Sequence, residues 1–468
     1  MALRLFNTYS RQLEEFTPLD PAGRAVKLYT CGPTVYSFAH IGNFRAYIFE
    51  DLLQRHLEAR GYAVDRVMNL TDVDDKTIRN SRKEGKPLAE FTAPFKKAFF
   101  EDLGTLRVKP ARSFPEATAP EYIARMIEMI SVLVERDYAY QAEDNSVYYR
   151  INRFPKYGCL AHLDLETLRP TGRIQNDEYE KESIGDFALW KAWDEADGDV
   201  GWKSPWGRGR PGWHIECSAM AGALLGDELD IHCGGEDNIF PHHEAEIAQT
   251  EAVTGKKFVR LWMHCKHLMV DGQKMSKSLG NFYTLRDVVA KGYTGREIRL
   301  ALLRVNYGLP LNFTFEGMAD ARAQLRRIDT WVARLTDHAA GTMASEPHPL
   351  ADHERFEQRL DEDLNISGAL GELFTIITET NSALDKDSLT TGQARRLLDW
   401  WARINQTLAI EPDPGADDVP AEVKTLLEQR VQARTNKEWK RSDELRDAIA
   451  MLGWAVKDTK DGQKVTRA

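Results

Sequence analysis

The chain has no run of about 18 apolar residues, so no membrane-crossing helix is expected. Its first residues, MALRLFNTYSRQ, hold no apolar h-region, and a secretory leader is not expected either. Cysteine is sparse: five in 468 residues, at positions 31, 159, 217, 233 and 265, odd in number and widely spaced. That argues against a disulfide framework and fits a reduced, cytoplasmic protein whose thiols are available to a metal. Internal repeats and low-complexity tracts are absent. Positive charge is not in excess, and a net charge of −10 taken alone argues against a nucleic-acid binder. The distribution is uneven, however. Residues 421–468 carry 11 Lys+Arg against 8 Asp+Glu, a local +3 that fits an RNA-contacting end or a solvated helical surface equally well.

What is present is organised around Cys31–Asn43, CGPTVYSFAHIGN. It follows a mostly apolar run, Val26–Thr30, that reads as a buried strand. It precedes Phe44–Arg60, where Ile48, Leu52 and Ala59, with Phe49, Leu53 and Leu57, repeat at helical spacing. A strand-to-helix handover is where open α/β sheets bind ligands. Gly42 and the helix N-terminus offer N–H groups and a positive dipole end to a phosphate, and His40 adds a donor. Residues 63–70 complete a strand–helix–strand unit, which implies a parallel sheet. In NLTDVDDKTIRNS, residues 69–81, Thr71, Asp72, Asp74 and Asp75 lie past a strand end, placed either to hold an amine or ribose or to begin a solvated helix.

Residues 86–145 read as mostly helical, and 146–205 as an irregular insertion in which Cys159 has no partner at ligand spacing and is taken as structural. The second half brings GRPGWHIECSAMA from Gly209, a short strand at Leu229–His232, then CGGEDNIFPHHEAEIAQTEA. There Pro241 suits a helix first turn, and His242 and Glu246 fall at i and i+4. Arg260–His264 reads as a strand running into HLMVDGQKMSKSLGNF. From Leu285 the pattern is helical, with linkers at 338–350 and 411–420 and a final piece, GWAVKDTKDGQKV, shaped for a hairpin.

Two constellations carry chemistry. Cys31, Cys217, His242 and Glu246 are candidate metal ligands, two thiols with an imidazole and a carboxylate suiting zinc. His243 and His232 are possible substitutes or supporting groups, while His264, Cys265 and His267 match no tight site and are taken as structural. HIGN and KMSKS, each after a strand, form the second. Lys274 and Lys277, beside Ser276 and Ser278, can neutralise the charge that builds as pyrophosphate leaves, while His40 and the helix end hold the α-phosphate region. Attack of a carboxylate on phosphorus needs positioning and charge stabilisation rather than an acid or base.

With these residues in view, the chain resembles the class I aminoacyl-tRNA synthetases, most closely their cysteinyl members. The matching pieces are CGPTVY, HIGN, NLTDVDD, GWHIECSAM, GGED, FPHHEAEIAQ, KMSKSLGNF and the C-terminal helices, spanning nearly the whole chain in the family's order. The resemblance implies a Rossmann-type parallel sheet split by an insertion and followed by all-α C-terminal domains. It implies one zinc on Cys31, Cys217, His242 and Glu246. It implies ATP contacts from His40, Gly42, Asn43, Lys274, Ser276 and Lys277, with His40, Asn43, Lys274 and Lys277 catalytic, and cysteine contacts from Thr71, Trp213 and Asp237. Two departures stand out. The family signature has His where this chain has Asn43, which can donate to a phosphate but carries no charge. The tail QKVTRA lacks the tryptophan expected there.

The organisation expected on this basis is a catalytic domain whose halves are residues 1–120 and 206–265, a connective insertion at 121–205, and a stem-contact segment at 266–320. A helical DALR-like bundle at 321–410 and an anticodon-binding end at 411–468 follow. The expected partners are tRNA, cysteine and ATP with magnesium, for a cytoplasmic monomer. One rival is the related ligase joining cysteine to an amino sugar, which needs no anticodon domain. The other is a silent RNA-binding paralogue, which has no physical need for HIGN, KMSKS and the metal set.

Overall fold

A computed structural model of the chain describes residues 2–163, 169–174, 183–276, 279–340, 345–351, 354–412, 421–452, 454–459 and 462–467. Two compact units divide it, Met1–Ile410 and Glu411–Ala468.

The first unit is built on a four-stranded parallel sheet. Ala25–Thr30 leads through the helix Ile41–Ala59 to Ala63–Met68, which pairs beside it with Ala25 opposite Ala63 and Thr30 opposite Met68. After the insertion, Leu229–Gly235 pairs on the other side of the first strand, Ile231 opposite Leu28, and Val259–Cys265 lies outermost. The chain thus leaves its first strand for one neighbour and returns to the other. That reversal opens a crevice at the carboxyl ends of Ala25–Thr30 and Leu229–Gly235, the position where doubly wound sheets bind ligands. Val26, Leu28 and Tyr29 are wholly buried, as strands covered on both faces must be. Phe44, Ile48, Leu53 and Leu57 of the helix Ile41–Ala59 pack in one core, and Ile215, Ala219, Ala245 and Ala248 of the helices Trp213–Leu225 and Glu244–Thr254 pack in another.

The insertion carries its own sheet, in the order Ala139–Gln141, Val147–Tyr149, Ser183–Ala192, Gly207–Pro211, Trp202–Ser204. Beyond the main sheet, Leu268–Val270, Gln273–Lys274 and Leu311–Phe313 form a small sheet; the last of these interrupts the helical pattern expected from Leu285 onward. The helices Phe315–His338, Ile366–Asp385 and Thr391–Leu408 follow. A buried ion pair ties the first helix to this region. Arg299 donates to Asp51 Oδ2 at 2.6 Å and to the carbonyls of Leu408 and Leu106 at 2.7 and 3.0 Å. Asp51 also accepts from Arg55 Nε at 2.8 Å and the Lys109 N–H at 2.7 Å, and neither member of the pair is exposed.

One local expectation is corrected. Pro241 does not open a helix. Ile239–His243 is a wide turn with a cis Phe240–Pro241 bond, and the regular helix begins at Glu244. The extended backbone at Phe240 forces the break, so His242 sits in the turn and Glu246 in the helix.

The second unit packs the helices Ala421–Thr435 and Trp439–Met451 with the antiparallel hairpin Trp454–Thr459 and Gly462–Arg467. Val423, Ile449 and Trp454 form its core, and buried Arg430 donates to Asp458 and Gln463, both at 2.8 Å. Among the described residues, no helix is long and apolar enough to cross a membrane.

Candidate active site and metal centre

The crevice holds two communicating lobes of about 330 and 360 Å³. Cys31, His40, Asn43 and Asp237 line both lobes. Thr71, Trp213, Cys217 and His242 line the first alone, and Gly42 and Lys274 the second alone. Thus one lobe carries the groups expected for an amino acid and a metal, the other those expected for a nucleotide.

Cys31 stands at the end of the first strand, its N–H bonded to the Cys233 carbonyl on the neighbouring strand at 3.3 Å. Ligand atoms of Cys31, His242, His243 and Glu246 all lie within 4.8 Å of one another. Cys31 Sγ is 3.2 Å from His243 Nε2, and Glu246 Oε1 is 3.1 Å from His242 Nε2. The buried Cys217 thiol lies beside that of Cys31 and the Tyr29 hydroxyl, and both cysteines are free. Three of the four expected ligands, Cys31, His242 and Glu246, thus converge with His243, which the expected set did not include, while Cys217 stands beside Cys31 outside that cluster. Gly234 makes room: a Cβ there would lie 2.8 Å from the His243 ring.

Burial sets the protonation of this cluster. It pushes the thiols of Cys31 and Cys217 up, so without a cation they stay protonated. It pushes His242 down to about 3, so the imidazole is neutral with a lone pair to give. Two thiols, a neutral imidazole and a buried carboxylate are a donor set that zinc fits, and filling it releases thiol protons.

Three further histidines brace the cluster; His232 was a candidate supporting group from the sequence, whereas His214 and His264 were not singled out in that role. His214 Nδ1 lies 3.1 Å from His242 Nδ1, His232 Nε2 lies 3.0 Å from Glu246 Oε2, and His264 Nε2 lies 2.8 Å from His243 Nδ1. His264 in turn meets the Thr8 hydroxyl at 2.8 Å. Such partners fix ring orientation and tautomer around a metal. His264 thus belongs to the site, whereas the pattern HCKH had suggested a merely structural role. Trp213 stacks on His242 with centroids 4.3 Å apart.

The acidic run past the second strand is largely occupied by the fold. Asp72 accepts from Lys96 Nζ at 2.8 Å and the Thr118 hydroxyl at 2.7 Å. Asp74 caps the helix Asp75–Glu84 through the Thr77 N–H, and Asp75 pairs with Lys191 of the insertion and with Arg210 just past it. Of the four candidates there, Thr71 alone lines the crevice lobes.

On the nucleotide side, His40 is the N-cap of Ile41–Ala59. The Asn43 N–H donates to His40 Nδ1 at 3.2 Å, and the His40 N–H donates to Asn43 Oδ1 at 3.1 Å. Asn43 thus completes a capping box, a structural use of the residue standing where the family signature has histidine. With Nδ1 accepting, the neutral ring carries its proton on Nε2 as a donor. The segment after KMSKS docks here: the Ile41 N–H donates to the Tyr283 carbonyl at 3.0 Å, and Met275 lies against Gly42. The Ser276 N–H is held by Asn281 Oδ1 at 2.8 Å. Lys274 is exposed at the second lobe, and Lys277 and Ser278 lie outside the described residues.

Comparisons with known proteins agree with this architecture. Residues 17–323 match the family described as "tRNA synthetases class I (C) catalytic domain", residues 355–408 the "DALR domain", and residues 416–465 the "Cysteinyl-tRNA ligase anticodon binding domain". The chain is 48% identical to "Cysteine--tRNA ligase" of Protochlamydia amoebophila, covering 99% of this chain and 98% of that protein. It is 49% identical to that of Chlamydia muridarum, with 100% of both covered. Among solved structures, the methionyl-tRNA synthetase of Mycobacterium tuberculosis with methionyl-adenylate shares the fold at a TM-score of 0.61 and 15% identity, over 83% of this chain and 88% of that one.

Proposed function

The chain belongs to the cysteine–tRNA ligase family of class I aminoacyl-tRNA synthetases, and from that membership we infer how its residues divide the work. It is an ATP-dependent ligase. The cysteine carboxylate attacks the α-phosphorus of ATP and pyrophosphate leaves; a ribose hydroxyl at the tRNA 3′ end then attacks the adenylate carbonyl and AMP leaves. The anticodon-binding match at 416–465 and relatives similar over their full length leave the amino-sugar ligase without support.

In our reading, Cys31, Cys217, His242 and Glu246 hold zinc. Zinc held by these residues would supply an affinity for soft thiolate over hydroxyl, which would separate cysteine from serine. His243 orients this set from its place between Cys31 and His264. Thr71, Trp213 and Asp237 hold the rest of the amino acid. His40 Nε2, Gly42 and the helix N-terminus hold the α-phosphate region, and Asn43 fixes His40 while facing the same lobe. Lys274 and Lys277, with Ser276, neutralise the charge on the departing pyrophosphate, and magnesium accompanies ATP. The division into residues 1–120, 121–205, 206–265, 266–320, 321–410 and 411–468 belongs to the same reading, as does a monomer working in the cytoplasm.

The observation that supports it best is the convergence of Cys31, His242 and Glu246 from both halves of the fold, with Cys217 beside Cys31, next to the HIGN cap. The test is ATP-dependent attachment of labelled cysteine to total tRNA, with serine as control and a chelated sample beside it. Cysteine charging that fails for serine and falls on chelation is expected. Charging that survives full removal of metal would overturn the zinc assignment.

A further inference from the structure

Thr71 lines the amino-acid lobe, and its hydroxyl has one proton and two lone pairs. Its neighbours fix how these are used. Asn69 Oδ1 accepts the Gly32 N–H at 3.0 Å, which turns Asn69 Nδ2 into the donor that reaches Thr71 Oγ1 at 3.2 Å. The Thr71 proton goes to Glu216 Oε2 at 2.9 Å. Asn69, Thr71 and Glu216 are each at least 98% buried, so water does not compete for these bonds. Gly32 cannot be larger, since a Cβ would collide with the Asn69 carbonyl. One lone pair of Thr71 is therefore uncommitted, and it can only accept.

An acceptor recognises a donor, and of the two polar ends of an α-amino acid the donor is the ammonium. We propose that Glu216 is a positioning residue which, by taking the Thr71 proton, makes Thr71 select the ammonium of the substrate, and that its carboxylate backs that positive charge from behind. The inference rests on the reading of Thr71 as a substrate contact and names the group it touches and the residue that decides it. Glu216 and Cys217 are consecutive on the helix Trp213–Leu225. One peptide unit therefore carries the support for the amine and a thiol-side ligand, and the spacing between the two ends of the substrate is built into that helix.

The test uses the full metal-loaded chain and two probe thiols. Cysteamine carries a thiol and an ammonium; 3-mercaptopropionate carries a thiol and a carboxylate. Binding is read by calorimetry for the unaltered chain and for Glu216→Gln, which keeps an acceptor oxygen and removes the charge. Cysteamine affinity should fall about tenfold or more, the scale of a hydrogen bond to a charged group, while 3-mercaptopropionate affinity holds within about twofold. Thr71→Val, outside the ligand set, should give the same selectivity and decides the matter if Glu216→Gln loses metal or fails to fold. Equal weakening of both thiols, or no loss for cysteamine in either variant, would overturn the proposal. Cysteine-dependent ATP–pyrophosphate exchange is measured beside it. Its absence from the unaltered chain counts against the functional reading of the crevice, whereas exchange with an unselective loss counts against Glu216 alone.

Discussion

His40 does two things with two ends of one ring, and substitution can separate them. Nδ1 caps the helix Ile41–Ala59 by accepting the Asn43 N–H at 3.2 Å. Nε2, which carries the proton when Nδ1 accepts, is the atom to which we assign the phosphate contact. His40→Asn keeps a strong N-cap but is too short to reach the phosphate; His40→Ala loses both. Loss of a cap costs about 0.5–2 kcal/mol. Loss of a hydrogen bond to a charged group costs about 1.5–3 kcal/mol, which is about 10–150-fold in the rate of activation. The assays are ATP–pyrophosphate exchange at saturating cysteine and the thermal midpoint. Both variants should lose exchange by that factor, while only the alanine variant loses stability. An asparagine variant that keeps its rate would refute the phosphate role, and equal loss of stability in the two variants would refute the capping role.

The Asp51–Arg299 pair is buried, so Arg299→Met, which leaves Asp51 with only Arg55 and the Lys109 N–H, should cost about 1.5–3 kcal/mol in chemical denaturation. Burial pushes the Asp51 carboxyl up, but Arg299, Arg55 and the Lys109 N–H more than offset it and hold its pKa below the ordinary value. The native state therefore binds that proton more weakly than the unfolded chain. The stabilisation is present above a pH of about 4 and lost as pH falls further, so the stability gap between the unaltered chain and Asp51→Asn should narrow in acid. At the metal centre, Cys31→Ser and Cys217→Ser should abolish metal retention during dialysis against a weak chelator. His243→Gln should retain one ion with affinity lowered about 10–100-fold. Retention by Cys217→Ser with loss in His243→Gln would make His243 the fourth ligand.

The sheet, the crevice and most of its lining were legible because they follow from local rules. An apolar run at 26–30, a helical repeat from Phe44 and a glycine-bearing loop between them set a strand-to-helix handover whatever the rest of the chain does. Cys31, Cys217, His242 and Glu246 stood out as residues of ligand type near strand or helix ends. What was not legible depends on contacts made across the sheet. His214 and His264 come from a helix and a strand, and no spacing in sequence relates them to the ligands they meet. Asp74 and Asp75 looked available for a substrate because nothing local reveals that Lys191 and Arg210, more than 100 residues on, meet Asp75. The break before Glu244 was hidden because proline is common in helix first turns, and only the extended backbone of Phe240 rules that reading out.

Rigidity is distributed in this crevice according to what each part must do. Telling sulfur from oxygen is a comparison of two nearly isosteric groups, and an apolar pocket separates such pairs by only about 1–3 kcal/mol. A metal does better only if its donors cannot rearrange to suit the wrong ligand. His242, His243 and Glu246 are accordingly buried, and a second histidine meets each of them. The Cys31 backbone is tied across the topological switch to the neighbouring strand, and Cys217 comes from a helix packed against the sheet. Stabilising a departing pyrophosphate asks for the opposite: cationic groups that meet charge as it develops and then release the product. Lys274 is exposed, at the edge of the second lobe and outside the core. His40, lining both lobes, is held at Nδ1 by the Asn43 N–H. It stands between the lobe to which we assign selection of the thiol and the lobe to which we assign pyrophosphate release, so its substitution is the most direct way to ask whether the two halves work through one shared residue.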